Sequence, residues 1–281
     1  NGIFAIAWIN LKKNVITLCR DSTGVKTLYY MNENNNFYFC SEAWFLYEIS
    51  KNKKINIDGL NFYLRYGFNH IEKCIYNNIF KVKPGEIVEF DINANYLKKI
   101  KYIDLEKEYK NSNNEIDSDL ENSVKLNLIS DAKVGLYLSG GLDSSIIAVL
   151  AKKNNNLIEG YTNTYEDKKF YSINEDFNYA NELCKNYHIK LFSNHISANN
   201  HEDVEFLKSL DFFDEPLSNL NIFNSFKQAK YANQNGIKVI LTGDGADEVF
   251  GGYKKYCDTK IYQNFSFFSA ISKKIKKYKN Y

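Results

Sequence analysis

Arginine is nearly missing from this chain: Arg20 and Arg65 are the two it has in 281 residues, and lysine carries the rest of the positive charge. Acidic and basic residues almost cancel, to a formal net charge of +2, so the composition gives no basis for a nucleic-acid surface. The one basic cluster, Lys273 to Lys279, reads as a solvated helix face or a frayed end. Paired cysteines are also missing. Cys19, Cys40, Cys74, Cys184 and Cys257 are an odd, scattered set without any C-x-x-C, which excludes a zinc ribbon and points to a reduced, cytoplasmic compartment. No apolar run approaches the roughly 20 residues needed to span a bilayer, and the first residues show no charged-then-apolar leader. The histidines, His70, His188, His195 and His201, are dispersed and read as surface or packing residues. Tracts such as Asn34-Asn35-Asn36 and Lys152 to Asn156 read as solvated loops.

What is present suffices for two domains, since 281 residues at 44% hydrophobic can bury a substantial core. From Gly2 to about Ile103 the pattern is mostly strands: Ile3 to Ile9, Val15 to Cys19, Leu28 to Tyr30, Phe37 to Cys40 and Ile87 to Phe90. Ser41 to Ser50 and Gly59 to Tyr66 read as short helices. Asp104 to Asn114 is polar and charged, the composition of a linker. Beyond it, Glu115 to Ser130 reads as an amphipathic helix. Strand and helix candidates then alternate over Leu157 to Tyr165, Phe177 to Tyr187, Lys190 to Ile196, Asn221 to Gln234 and Ile237 to Thr242. That alternation predicts an α/β domain with a doubly wound parallel sheet. No internal repeat is visible.

Two stretches carry chemistry. The apolar run Val134 to Leu138 leads into Ser139-Gly140-Gly141-Leu142-Asp143-Ser144-Ser145, and helical spacing follows from Ile146 to Lys153. Glycines at a strand-to-helix turn admit close approach by a ligand, and free N–H groups at a helix start attract phosphate. An ordinary turn remains the alternative. The lysine of GxxxxGK[ST] is absent and GxGxxG does not fit, so neither common nucleotide motif applies. The second stretch, Thr242-Gly243-Asp244-Gly245-Ala246-Asp247-Glu248, follows the strand Lys238 to Leu241. Its three carboxylates would repel one another unless cations or hydrogen bonds balanced them. Magnesium on a nucleotide would do so, while a surface loop of Asp-Gly turns needs no metal.

S-G-G-L-D-S resembles the PP-loop of ATP pyrophosphatases. Together with G-D-G-A-D-E-V-F-G-G-Y it resembles the synthetase domain of glutamine-dependent asparagine synthetases. Phe213-Asp214-Glu215-Pro216 looks like that family's D-E-P turn, and Glu175-Asp176-Phe177-Asn178-Tyr179-Ala180 like its acidic helix start. Upstream, Gly2 to Trp8, Arg20 to Tyr30, Ser41-Glu42 and Lys83-Pro84-Gly85 look like the later half of its glutaminase domain. The resemblance implies a partial αββα Ntn-type glutaminase domain over 1–103, a linker over 104–114, and a PP-loop (adenine nucleotide alpha hydrolase-like) domain over 115–281. The cofactors implied are ATP and Mg²⁺. Ser139, Gly140, Gly141, Leu142 and Ser144 would cradle pyrophosphate, and Leu138, Thr242 and Gly243 would lie against the nucleoside. Asp143 and Asp247 would hold the metal. Asp244 is the candidate catalytic residue for removing or orienting the ammonia proton, with Glu248 behind it.

Departures from the family pattern are specific. Thr27 stands where proline is usual, and Asp244 where many asparagine synthetases have glutamate. The family's N-terminal nucleophilic cysteine and a later lysine that stabilises its intermediate match no position here, so a fragment of a longer protein is expected. The activity implied is adenylation of the aspartate side chain and its amidation with glutamine-derived ammonia. An amidotransferase acting on another carboxylate, such as a sugar acid, is the alternative. Expected partners are small-molecule substrates, without nucleic acid or membrane, and a homodimer is admitted. Thiolation of tRNA would call for paired cysteines and a basic face, and a non-catalytic relative would not be expected to keep Asp143, Asp244 and Asp247.

Overall fold

The computed structural model describes residues 2–103, 115–155, 157–165, 171–196, 202–219 and 221–253. The linker expected at 104–114, the lysine tail, Cys257 and His201 lie outside the described residues. The chain divides into two compact units, residues 1–114 with 200–223, and 115–199 with 224–281.

The first unit holds strands β1 (Ala5–Asn10), β2 (Val15–Arg20), β3 (Tyr29–Glu33), β4 (Asn36–Cys40), β5 (Phe80–Lys81), β6 (Glu86–Asp91) and β7 (Tyr96–Lys101). They form two sheets, ordered β1-β2-β6-β7 and β4-β3-β5, with every pairing antiparallel. Alternation with period two decides which face is core. On β2 the buried residues are Ile16 and Leu18, and opposite them on β6 are Phe90 and Val88. These pack with Leu28, Tyr30 and Val82, and the Phe37 ring stacks on Phe90 at 4.3 Å between centroids. β3 is buried on both faces: Tyr30 joins that cluster, while Tyr29 and Met31 join Ala43 and Leu46 of α1 (Ala43–Ile49). β5 and β7 are additions to the sequence reading. β5 is two residues long, and β7 is a lysine-bearing sheet edge, a composition that guards an edge against further pairing but hides its strand character. Helix α2 (Ile57–Tyr66) is capped by the Asn56 side chain, which accepts from the Gly59 amide at 3.2 Å.

The second unit contains α3 (Ile116–Asn127), β8 (Val134–Tyr137), α4 (Leu142–Asn154), β9 (Glu159–Tyr165), α5 (Tyr171–Asn186), β10 (Lys190–Ile196), β11 (Val239–Leu241) and α8 (Ala246–Phe250). Helix α6 (Glu202–Leu210) belongs to the first unit, and α7 (Asn221–Gln234) falls in the second from Asn224 onward. The four strands are parallel, in the order β10-β9-β8-β11. The chain therefore steps from β8 to one side, through β9 and β10, then crosses back to place β11 on the other side of β8. The strand order reverses between β8 and β11, and the loops leaving those two strands flank the crevice where open α/β sheets bind ligands. Leu136, Leu138, Ala148, Ala151, Ile158, Ala180 and Cys184 form the main core of this unit.

Three boundaries move. Residues Leu142 to Ser145, read as turn, are the first turn of α4. Helix α5 begins at Tyr171, so Glu175 and Asp176 sit inside it and not at its start. The loop after β11 contains α8, and α6 had no counterpart in the sequence reading. Glycines and small hydroxyls in the two acid-bearing loops conceal helical turns because their local propensity favours turns.

Asp21 organises the loop after β2. Although fully buried, its carboxylate accepts from the Lys26 and Val25 amides at 3.0 Å each, and from the Thr23 amide and hydroxyl at 3.2 and 3.1 Å. Burial opposes ionisation, but these hydrogen bonds outweigh it and hold the group below the ordinary carboxylate range. A depressed folded-state value contributes stability above the ordinary range that is lost as pH falls through the depressed value. Asp21→Asn should accordingly lower stability at neutral pH by about 1–3 kcal/mol and flatten the acid limb of a urea-midpoint-against-pH curve. An unchanged acid limb would rule out this role.

Candidate functional site

Ser139 leaves the end of β8, and two glycines separate it from α4. Gly140 has φ +80°, and a Cβ there would sit 2.1 Å from the Asp176 carbonyl oxygen, so the loop and α5 meet backbone to backbone. Gly141 is the residue preceding α4, and no side chain caps that helix. Its first amides thus lack acceptors from within the helix. The hydroxyls are occupied inside the loop: Ser144 and Ser139 Oγ atoms are 3.0 Å apart, Ser144 Oγ takes the Ser139 amide at 3.3 Å, and the Ser145 hydroxyl donates to the Gly141 carbonyl at 2.8 Å. Ser144 is itself buried.

The loop after β11 comes alongside. A Cβ on Gly243 would lie 3.0 Å from the Ser144 nitrogen and 3.2 Å from Asp143 Cβ. Parallel pairing of β11 with β8, Leu241 opposite Leu136, brings the two loops to the same end of the sheet. Between them lies a pocket of ≈390 Å³ lined by Leu138, Ser139, Gly141, Asp143, Ser144, Thr242, Gly243, Asp244 and Asp247. Nine of the eleven predicted site residues share it. Gly140 and Leu142 do not line it: Gly140 is backed by α5, and Leu142 is exposed at 73%. Leu138 does line it, yet its side chain belongs to the core, against Gly160 of β9.

Tyr137, Thr162, Asn163, Tyr165, Asp176, Ser225 and Gln228 also line the pocket and were not proposed from sequence. Thr162, Asn163 and Tyr165 are signalled by one rule alone, that ligands collect at the carboxyl ends of parallel strands. Gln228 holds α7 on β9 by donating to the Tyr161 carbonyl at 2.9 Å, and Asn163 donates to the Asn224 carbonyl at 3.1 Å.

Asp143, Asp244 and Asp247 are the acidic groups of the two loops at the pocket, and Asp176 adds a fourth carboxylate from α5. Asp247 packs against Gly252, where a Cβ would collide with its Oδ1. Glu248 accepts from the Tyr253 hydroxyl at 2.8 Å. Among the described residues, no group of three or more His, Cys, Asp or Glu stands ready to hold a metal unaided. A pair such as Asp143 and Asp247 nevertheless fits magnesium, which typically takes one or two protein carboxylates and fills its shell with water and phosphate oxygens.

Three of the described cysteines, Cys19, Cys74 and Cys184, are held in the thiol form. Burial raises the Cys19 thiol; burial and the Glu215 charge push Cys74 up to about 12, and burial pushes Cys184 up to about 11. Among the described residues, no helix is long and apolar enough to cross a membrane.

The fold and pocket define a parallel α/β unit with a glycine-bearing loop leading into a helix at its topological switch point. Residues 115–278 match the asparagine synthase family and residues 1–103 the glutamine amidotransferase domain. The chain belongs to the asparagine synthase family. It is 31% identical over 268 residues to a putative glutamine-hydrolysing asparagine synthetase 2 of Methanocaldococcus jannaschii, covering 90% of this chain and 50% of that protein. It is 32% identical over 268 residues to synthetase 1 of the same organism, covering 91% and 45%. Against asparagine synthetase 1 of Bacillus subtilis it is 29% identical over 259 residues, covering 91% and 40%. The chain spans about half or less of the length of these relatives.

Gly140→Ala tests the loop's construction, because it combines a left-handed backbone with a backbone collision. It should destabilise the second unit by more than the roughly 1 kcal/mol of the conformational term alone, read as faster amide exchange in 139–153 with the first unit unaffected. Retention of normal exchange there would show that the loop has room to move.

Proposed function

We propose that the second unit binds Mg·ATP in the pocket between the β8 and β11 loops and activates a carboxylate for amidation, and that the acceptor is the side chain of aspartate. The observation that carries this reading is the convergence of Ser139 to Ser144 with Thr242 to Asp247 on one pocket at the strand-order reversal. The names of the relatives support aspartate as acceptor and glutamine as nitrogen donor.

A carboxylate resists attack by ammonia because oxide is a poor leaving group. Attack of its oxygen on the α-phosphate of ATP forms an acyl-adenylate and releases pyrophosphate; ammonia then displaces AMP. In this reading the amides of Gly141 and Ser144, which line the pocket at the start of α4, bind the departing pyrophosphate. Asp143 and Asp247 hold magnesium, which when bound offsets the charge on the phosphate oxygens. Thr242 and Gly243 flank the nucleoside. Asp244, exposed and with its amide 3.4 Å from the Thr242 hydroxyl oxygen, takes or orients the ammonia proton. Residues 1–103, matching the glutamine amidotransferase domain, belong to the part of the protein that would release ammonia from glutamine. A cytoplasmic setting, where ATP and amino acids are available, goes with this reading.

Calorimetry on the chain should give magnesium-dependent heat with ATP. Asp143→Asn should weaken binding of magnesium pyrophosphate about tenfold or more while changing AMP binding much less; equal losses for both ligands would make Asp143 structural. In the whole protein, Asp247→Asn should abolish aspartate-dependent pyrophosphate release without rescue by ammonium. Release with a sugar acid in place of aspartate would reassign the acceptor.

A further inference from the structure

The first unit contains a pocket of its own, of ≈610 Å³, and every residue lining it belongs to that unit. Tyr29, the first residue of β3, lines it together with the start of α1 and residues 211–217, which follow α6. These segments are tied to one another and to their surroundings by polar contacts. Glu215 forms an ion pair with Lys81, and its other oxygen accepts from the Ile75 amide at 3.2 Å. Asp214 accepts from the Trp44 amide at 3.1 Å, and the Glu42 carboxylate from the Trp44 indole N–H at 2.7 Å. The Thr27 hydroxyl donates to the Ser41 carbonyl at 2.7 Å.

Tyr29 is the exception to this pairing. The residue is 5% exposed, and among the described residues its hydroxyl has no hydrogen-bond partner. Every fully buried side-chain oxygen or nitrogen among the described residues does have one, so this hydroxyl opens onto the pocket that Tyr29 lines. It stays protonated, because burial and the nearby carboxylates oppose its ionisation. It therefore presents one donor and two lone pairs that the protein does not use, an arrangement that is unfavourable unless something else meets them.

The rest of the lining says what would. Glu42, Asp211 and Asp214 supply negative charge, the charge of Glu215 is offset by Lys81, and no lysine or arginine lines the pocket among the described residues. An anion would be repelled, and an apolar ligand would leave the hydroxyl unmet. Trp44, Phe212 and Phe213 are exposed aromatic side chains at the same pocket, and aromatic faces attract cations and cover alkyl chains. A cation bearing N–H groups meets both demands, since its donors suit the Tyr29 oxygen and the carboxylates. A quaternary ammonium has no N–H for the hydroxyl. The volume is that of a pocket for an organic ligand and far exceeds the needs of a bare ammonium ion.

We propose that this pocket binds a primary alkylammonium ion, with the ammonium group between the Tyr29 hydroxyl and the carboxylates of Glu42, Asp211 and Asp214, and the alkyl chain against Trp44 and Phe213. The site is confined to the first unit and does not depend on the nucleotide reading.

Trp8 and Trp44 are the two tryptophans of the chain, and Trp8 is exposed on β1, so Trp8→Phe leaves Trp44 as the sole indole reporter. Titration of the 281-residue Trp8→Phe chain with n-hexylammonium should change Trp44 fluorescence saturably, with a Kd of about 1 mM or tighter, and calorimetry on the unsubstituted chain should give the same constant. At matched ionic strength n-hexanol, hexanoate, ammonium chloride and trimethylhexylammonium should each bind about tenfold or more weakly. Asp211→Asn and Glu42→Gln should each weaken hexylammonium binding about threefold. Tyr29→Phe should weaken it about tenfold and leave the denaturation midpoint of the unliganded chain unchanged or raised, since no hydrogen bond within the protein is lost. Absence of a saturable response by calorimetry would overturn the proposal. So would hexanol binding as well as hexylammonium, which would make the pocket a plain apolar groove, or ammonium chloride or trimethylhexylammonium competing on equal terms, which would reduce it to diffuse charge. Undiminished hexylammonium affinity in Tyr29→Phe, or a lowered midpoint there, would remove the hydroxyl from the site and overturn it as well.

Discussion

Parallel pairing of β8 on both of its edges is the constraint on which the candidate site depends. With β9 on one side and β11 on the other, β8 is the strand at which the chain reverses its direction of winding, and its carboxyl end opens where no crossover helix can cover it. The loops from β8 and β11 are neighbours for that reason alone, though about a hundred residues separate them in the chain. Their approach to 3.0 Å between a notional Gly243 Cβ and the Ser144 nitrogen requires small residues on both sides. Three aspartates are then gathered against a helix start whose amides have no acceptor of their own, a combination suited to a polyphosphate with its metal.

The first unit follows different physics. Its sheets are antiparallel, and period-two alternation gives each strand one core face, except for β3, which is covered on both by Tyr30 on one side and Tyr29 with Met31 on the other. Irregular chain is held by charge. The Asp21 carboxylate gathers the loop after β2, and Glu215 with Asp214 gathers 211–219. In each case an acidic side chain is buried with its hydrogen bonds supplied, which is the condition under which burial of a charge is tolerated. Burial, with the negative charges of Glu215 and Asp214 adding to it, keeps the Tyr29 hydroxyl protonated well above its usual range.

Assignment to the asparagine synthase family concerns both units, since matches to the two domains cover residues 1–103 and 115–278. Chain order and spatial grouping part company at 200–223. That stretch belongs to the synthase match by sequence and to the first compact unit by contact. Buried charge pairing explains how a segment from one match comes to be grouped with the other.

Much of the site was legible because its chemistry is local. S-G-G-L-D-S-S and G-D-G-A-D-E stand out by residue type and spacing, and each follows an apolar run short enough to be a strand. Helix character in Leu142 to Ser145 was hidden, because serine and aspartate favour turns and their helicity comes from context; that in Ala246 to Phe250 was hidden by the Gly243-Asp244-Gly245 turn just before it. By itself the sequence determined the strand-turn-helix character of the motif, the acidic loop and the alternation that makes a parallel sheet, all consequences of side-chain periodicity within a dozen residues. Tertiary structure alone decided that Thr162, Asn163, Asp176, Ser225 and Gln228 face the same pocket, that Leu142 does not, and that Glu215 meets Lys81. Those facts depend on strand order and on contacts across more than a hundred residues, and no local spacing encodes them.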